Sequence, residues 1–427
     1  MIAELPYGGR ELAVEIPDER VADVELLSLA EPATAGSAQA LVEGALAAPI
    51  ESPRLRELAH GLEDVVLVVD DLTRPTPISL LLPPVVAELR AAGVPLGAIT
   101  VLVALGTHRP MTDAELAERL GGELTRTLRV VQHAYLDREA LVDLGPTPSG
   151  IPVVLNRLVV ESQLTVAIGN IVPHRYCGWA AGAKMILPGV AGADSVAATH
   201  LMITKDPEIR LGVVENRVRH EIEAVADRTS LRFLVNTILT RSGAVHAVVA
   251  GDFRAAFRAG VERALEIYAV PARRQADVVV TSGYPAEINF WQAGKALYAA
   301  DLLVRDGGTI VIAAPCPEGM GEHDEFTELL GLSYEEIEAR LARGDVADRI
   351  GAAAALAVAV VRRRAEILLV ADGVGEEDAA RAGLRKLPTL QAAVDEALAA
   401  CDGDRPTVAV LREGAEALPV LQAPVRG

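Results

Sequence analysis

Short, uninterrupted apolar runs alternate along this chain with longer stretches whose apolar positions recur every three or four residues. "DVVLVVDD" (64–71), "AITVLVALG" (98–106), "LRVVQHA" (128–134) and "LTVAIGN" (164–170) have the length and β-branched content of buried strands. Between them, "PISLLLPPVVAELRAAG" (77–93) predicts a helix interrupted by its proline pair. "TDAELAERLG" (112–121) predicts one capped by Thr112 and ended by Gly121. The opening "ELPYGGRELAVEIP" predicts a hairpin turning at Gly8-Gly9. Helices are expected at 211–227 and 252–269.

A second series follows the connection "VPARRQADVVVTSGYP". Its members are "DVVVTSG" (277–283), a helix through 290–303, "GTIVIAAP" (308–315), a helix near 349–364 and "EILLVADG" (366–373). The expectation is an α/β protein of two domains, each with a mainly parallel sheet, and an active-site cleft between them. Residues 1–271 form the first domain in this reading and 272–401 the second. The strand-like "TVAVLREG" (407–414) leaves open whether 402–427 returns to the first domain.

Composition narrows the function classes. The net charge of -19 disfavours nucleic acid or an anionic membrane as partner. The longest apolar run, "IGAAAALAVAVV" (350–361), is too short to span a bilayer. Three widely spaced cysteines, with no signal-peptide pattern at the N-terminus, point to a reducing cytoplasm. Lysine occurs at only four positions, 184, 205, 295 and 386, against 36 arginines, so each lysine draws notice.

Chemistry-bearing residues collect just after the predicted strands, where open α/β sheets bind ligands. "DDLTRPTP" (70–77) offers Asp71, Leu72, Thr73 and Arg74, the last able to hold a carboxylate through paired hydrogen bonds. "GTHRPMT" (106–112) presents His108 on a loop, and His174 follows "LTVAIGN" at the corresponding place. Between His174 and His200 lies Lys184 on a stretch of small residues. In the second series "NFWQAGKAL" (289–297) puts Gln292 and Lys295 on one helix face beside Trp291. His60, His220 and His246 fall inside apparent helices or strands. His133 is ambiguous, and His323 in "CPEGMGEHDEF" stays outside the site. No dinucleotide fingerprint, Walker loop or nucleophile elbow is present.

"DDLTRPTP", "GTHRPMT", "PHRYCGWAAGAKMILPGVAG" with the following "ATH", and "NFWQAGKAL" together resemble the nickel-dependent lactate racemase family. The four motifs are ordered, and the resemblance covers nearly the whole chain. It implies a racemase or epimerase that inverts C2 of a 2-hydroxy acid. It also implies a nickel-pincer nucleotide (pyridinium-3,5-bisthiocarboxylic acid mononucleotide) made by cofactor-biosynthesis proteins and joined to Lys184 as a thioamide. His200 would be the nickel ligand, and Asp71, Leu72, Thr73 and Arg74 would wrap the nucleotide. His108 and His174 would be the paired acid/base groups, one on each face of a planar 2-keto acid intermediate. Arg74, Trp291, Gln292 and Lys295 would bind substrate. The lactate-handling member of the family carries Tyr where this chain has Trp291.

Three other readings compete with this one. His108, His174 and His200 could ligate zinc in a hydrolase. Lys184 could be the Schiff-base lysine of a pyridoxal-phosphate enzyme. A non-catalytic nickel-pincer cofactor-binding protein would keep Lys184 and His200 but needs neither His108 nor His174.

Overall fold

The computed structural model describes residues 1–34, 36–202, 206, 208–323, 325–401 and 405–422. The chain forms two compact units, one of Glu31–Ile267 and one of Met1–Ala30 with Tyr268–Gly427.

The sheet of the contiguous unit runs, from edge to edge, Val245–Asp252, Leu231–Leu239, Leu164–Asn170, Val65–Asp70, Ile99–Ala104 and Arg129–Gln132. All neighbours are parallel except the pair Leu231–Leu239 and Val245–Asp252. Val65–Asp70 and Leu164–Asn170 are buried along their whole length, as central strands covered on both faces must be. In chain order the strands lie 6-5-4-1-2-3, so connections from the adjacent first and fourth strands leave in opposite directions. That divergence opens a crevice at their carboxyl ends. The loops after Asp70 and Asn170, which hold most of the candidate residues, start there.

Helix Asp113–Leu120 has the expected Thr112 cap, completed by Glu115 in a capping box, and ends at Gly121. The helix expected to be interrupted by proline instead runs unbroken from Ile78 to Ala91 through Pro83 and Pro84. Leu81, Leu82, Val85, Val86 and Leu89 are all buried in the core, and that packing outweighs the two missing backbone donors. The helix expected over 211–227 begins only at Arg217, where the Asn216 side chain accepts from the Arg219 backbone N–H.

The other unit has a six-stranded sheet ordered Arg385–Lys386, Ala365–Val370, Val304–Ala313, Ala276–Ser282, Thr407–Leu411 and Asp23–Leu27, with every pair parallel. The sequence reading grouped residues 1–271 as one domain; residues 1–30 lie instead with the second series. The physical reason is strand pairing across almost the whole chain, Asp23–Leu27 against Thr407–Leu411. The same pairing keeps 405–422 in this unit rather than returning it to the first. The hairpin Ile2–Tyr7/Arg10–Glu15 also belongs here, turning on Gly8 and Gly9 with φ of 57° and 80°. The Ala-rich run lies within the helix Arg349–Arg362 and is nearly all buried. Among the described residues no helix is long and apolar enough to cross a membrane.

Candidate active site

The loop after Val65–Asp70 is built around two buried carboxylates. Asp70 is clamped by the guanidinium of Arg119 and by the Thr76 hydroxyl. Arg119 also donates to the Arg74 carbonyl at 2.7 Å, which fixes the loop from helix Asp113–Leu120. Asp71 accepts from the Thr73 backbone N–H (3.1 Å) and hydroxyl (2.6 Å). Its other oxygen lies 2.6 Å from His108 Nδ1. Burial pushes the Asp71 carboxyl up, but His108, Arg74 and Thr73 outweigh this and hold it well below the usual range. An ionised Asp71 can only accept, so His108 carries its proton on Nδ1 and offers Nε2 as a base. Leu72 packs its side chain against the core, leaving its backbone for any ligand.

The loop after Leu164–Asn170 carries the second cluster. His174, Tyr176, Cys177, Lys184, Leu187, Pro188, Thr199 and His200 line a small, partly open pocket with Val218 and Ile222 of the helix Arg217–Ala226. The Tyr176 ring lies between the imidazoles, its centroid 5.6 Å from His174 and 4.4 Å from His200. Lys184 has no ion-pair partner among the described residues. Burial, then the Arg74 cation, lowers its pKa to about 8, with Arg219 adding to the effect and Cys177 and Asp71 opposing it. His200 Nδ1 lies 2.8 Å from the Val196 carbonyl one helical turn back; the carbonyl must accept, so the ring carries its proton on Nδ1.

The backbone here is tightly constrained. Gly178 has φ of 74°, and a Cβ on it would meet the Val213 carbonyl oxygen at 1.9 Å. Trp179 is fully buried with its indole N–H on the Gly212 carbonyl at 2.8 Å, and Arg219 donates to the Cys177 and Trp179 carbonyls. The His108 loop is tied to the lysine loop by the Gly106 N–H, which donates to the Gly189 carbonyl at 2.9 Å. His108 is not among the residues lining the cavity. Its partner Asp71 and the neighbouring Arg74 are close enough to act electrostatically on Lys184.

In the other unit, Asn289 caps the short helix Phe290–Ala293, and Lys295 Nζ donates to the Gln292 side-chain carbonyl, as their spacing predicts. Trp291 stacks on His323 with centroids 4.2 Å apart and meets Phe326 edge-on at 4.8 Å. His323 in turn holds Asp348 at 3.0 Å. His323, left outside the site by the sequence reading, is therefore in direct contact with one of its members.

Comparison with known proteins adds a second line of observation. The profile of the lactate racemase N-terminal domain matches residues 7–212 and that of the C-terminal domain residues 272–418. A lactate racemase from Thermoanaerobacterium thermosaccharolyticum is 35% identical over 322 residues, covering 74% of this chain and 75% of the relative. The chain belongs to the lactate racemase family. These are isomerases, and this chain is an enzyme of that class. A lactate racemase from Lactiplantibacillus plantarum is 32% identical over 74% of this chain and 76% of its own length. The structure of the T. thermosaccharolyticum lactate racemase apoprotein superposes with a TM-score of 0.87 at 29% identity, covering 98% of this chain and 100% of that one. A Thermotoga maritima protein shares the fold at 19% identity with a TM-score of 0.69, covering 86% of this chain and 98% of its own.

The residues of this lactate racemase family member fit a metal held by one imidazole and a cofactor tethered to an amine. His200 has its Nδ1 proton fixed on a backbone carbonyl, as metal-ligating imidazoles usually do, and Lys184 is an amine with no ion-pair partner among the described residues and a pKa lowered to about 8. The three-histidine zinc alternative fares less well. Among the described residues no three His, Cys, Asp or Glu side chains are gathered as a metal would need, and His108 is engaged with Asp71. His133 is structural: its Nε2 lies 3.0 Å from the Ala191 carbonyl, its Nδ1 is 3.2 Å from the Asn156 amide nitrogen, and burial lowers its pKa to about 4. Sequence reasoning missed Tyr176 and Cys177, which sit two and three residues after His174. It also missed the Asp71–His108 pair, which nothing in a 37-residue separation announces.

Ala181 is strained. Its φ of 67° and ψ of -167° fall in a region that glycine alone occupies comfortably, three residues before Lys184. Ala181→Gly is expected to stabilise the apoprotein by about 1 kcal/mol, the relief of strain exceeding glycine's added unfolded-state entropy. A urea melt at fixed m-value checks this; an unchanged or lower midpoint means the backbone is not strained there.

Proposed function

We propose that this enzyme racemises lactate and related 2-hydroxy acids using a nickel-pincer nucleotide joined to Lys184, with His200 as nickel ligand. The observation that carries the reading is one pocket lined by a lysine, without an ion-pair partner among the described residues and with its pKa lowered to about 8, and by the imidazoles of His174 and His200. When bound, the cofactor supplies the acceptor that takes up hydride from C2 and returns it.

The chain's own residues supply the proton chemistry. His108, its Nδ1–H held by the ionised Asp71, takes the hydroxyl proton at Nε2, and the carboxylate stabilises the imidazolium that results. His174 would donate a proton to the same substrate oxygen as C2 is re-reduced on the other face; for the opposite enantiomer the two rings exchange tasks. Arg74 holds the substrate carboxylate in this reading, while Asp71 to Arg74 cradle the nucleotide; in the other unit the hydrogen-bonded Gln292 and Lys295 are read as substrate-binding residues. Trp291, pinned by His323 and Phe326, forms the wall beside the substituent on C2. The partners this requires are a small acid and the proteins that build the cofactor, and the three free cysteines suit a cytoplasmic setting.

The test follows C2-deuterated lactate, with protein from a host that makes the cofactor. Inversion should show a primary isotope effect and keep much of the label. Rapid loss of deuterium to solvent would mean proton abstraction at carbon and defeat the hydride reading. In the same assay Trp291→Tyr is expected to raise kcat/KM for lactate relative to bulkier 2-hydroxy acids. One methylene of misfit is worth about 1–3 kcal/mol, so shifts of tenfold or more are readable. A profile within twofold of wild type on every acid removes Trp291 from the substrate wall.

A further inference from the structure

A histidine that accepts a proton at Nε2 must carry one on Nδ1, and the group beside Nδ1 decides how readily it does so. His108 has a carboxylate there. His174 has a different neighbourhood. The Tyr176 backbone N–H points at its Nδ1 from 3.3 Å, and that donor favours the tautomer protonated on Nε2, which is a poor base at Nε2. Cys177 Sγ lies 3.4 Å from the same nitrogen.

We propose that Cys177 is a positioning residue for His174: its sulfur accepts from Nδ1–H and so lets the ring hold out an Nε2 lone pair. The inference rests on the racemase reading, in which His174 must serve as base in one direction and acid in the other. The thiol has its own outlet, since Sγ lies 3.1 Å from the Trp179 carbonyl and donates its proton there. The sulfur lone pairs are thereby left for Nδ1. Thioether and thiol sulfurs are weak acceptors, so the Nδ1–H state is supported without being locked in. A ring that needs both states is served better by a weak acceptor than by a second aspartate.

The placement is held firmly. Cys177 is 2% exposed, its carbonyl takes a hydrogen bond from the fully buried Arg219, and Gly178 next to it has no room for a side chain. No covalent or redox step is involved. One proton passes between substrate oxygen and Nε2, while the sulfur keeps its hydrogen and Nδ1 keeps its own during the base step.

The test is the tautomer itself, read from imidazole 15N shifts of 15N-labelled full-length apoprotein above the ring's titration range, with His174→Gln to assign the signals. Wild type is expected to populate the Nδ1–H tautomer of His174. Cys177→Ala should deplete it, and Cys177→Ser, which retains an acceptor, should restore it, with His108 unchanged throughout as the internal reference. In cofactor-loaded enzyme Cys177→Ala should lower kcat about three- to tenfold, the worth of one hydrogen bond, at constant KM. A His174 pattern identical in wild type and Cys177→Ala would reduce Cys177 to a space-filling residue and overturn the proposal. If Cys177→Ala does not fold, the wild-type spectrum decides: a His174 purely in the Nε2–H form overturns it equally. Because the spectra need neither cofactor nor substrate, failure here is separable from failure of the racemase reading.

Discussion

Removing either acid/base histidine is expected to cost more turnover than any other single change. His108→Ala and His174→Ala should each lower kcat by roughly a hundred- to ten-thousand-fold, the range for a lost general base. The loss in kcat/KM must be the same in both directions, because racemisation of enantiomers has an equilibrium constant of one. Nickel and nucleotide content should stay at wild-type levels, since neither ring is the proposed ligand. Chiral chromatography of product, with metal analysis of the same preparations, checks both statements. Nickel lost from His174→Ala while His200→Ala turns over normally would exchange the proposed roles.

Lys184→Ala should be inactive for a different reason, having nowhere to attach the cofactor. Intact-mass measurement of protein made with the biosynthetic partners present should show a sulfur-containing nucleotide adduct, mapped to Lys184 and missing from the variant. Arginine is no substitute, because a guanidinium stays protonated and cannot be acylated in this way. The apoprotein gives an independent readout. Burial and the Arg74 cation lower the Lys184 pKa to about 8, so its amine-reagent labelling should climb through pH 8 rather than near the ordinary lysine value of about 10.4. The sign follows from the neutral form being the nucleophile: lowering the pKa makes more of it at a given pH. Labelling that rises only above pH 10 would mean the lysine is solvated and unperturbed.

Periodicity and turn chemistry carried the central strands, the Thr112-capped helix and the hairpin at Gly8-Gly9, because each depends on residues within a few positions of one another. The candidate residues were legible for a related reason. Ligands gather at strand ends in open α/β sheets, and His108, His174 and the 70–77 loop directly follow strands. What stayed hidden depends on distant partners. Asp23–Leu27 is a short strand whose partner, Thr407–Leu411, lies almost four hundred positions away, so no local pattern could assign it. Asp71 was read only as a cofactor contact because nothing local shows that its carboxylate also reaches His108. The helix through Pro83 and Pro84 ran against local rules and was decided by the core around it.

The pairing of Asp23–Leu27 with Thr407–Leu411 also orders events during synthesis. The unit bearing Lys184 is a continuous stretch, Glu31–Ile267, and every strand of its sheet has emerged long before the ribosome reaches the last strand of the other unit. Residues 1–30 emerge before that unit, yet their strand gains its sheet neighbour only when residue 411 is out. At the usual ~5–20 residues per second that wait lasts about 20–80 s. In the meantime the strand Asp23–Leu27 has no sheet to join. The lysine loop can be folded throughout this interval, so a modifying protein could meet a finished Lys184 site on a chain whose other half is still being made.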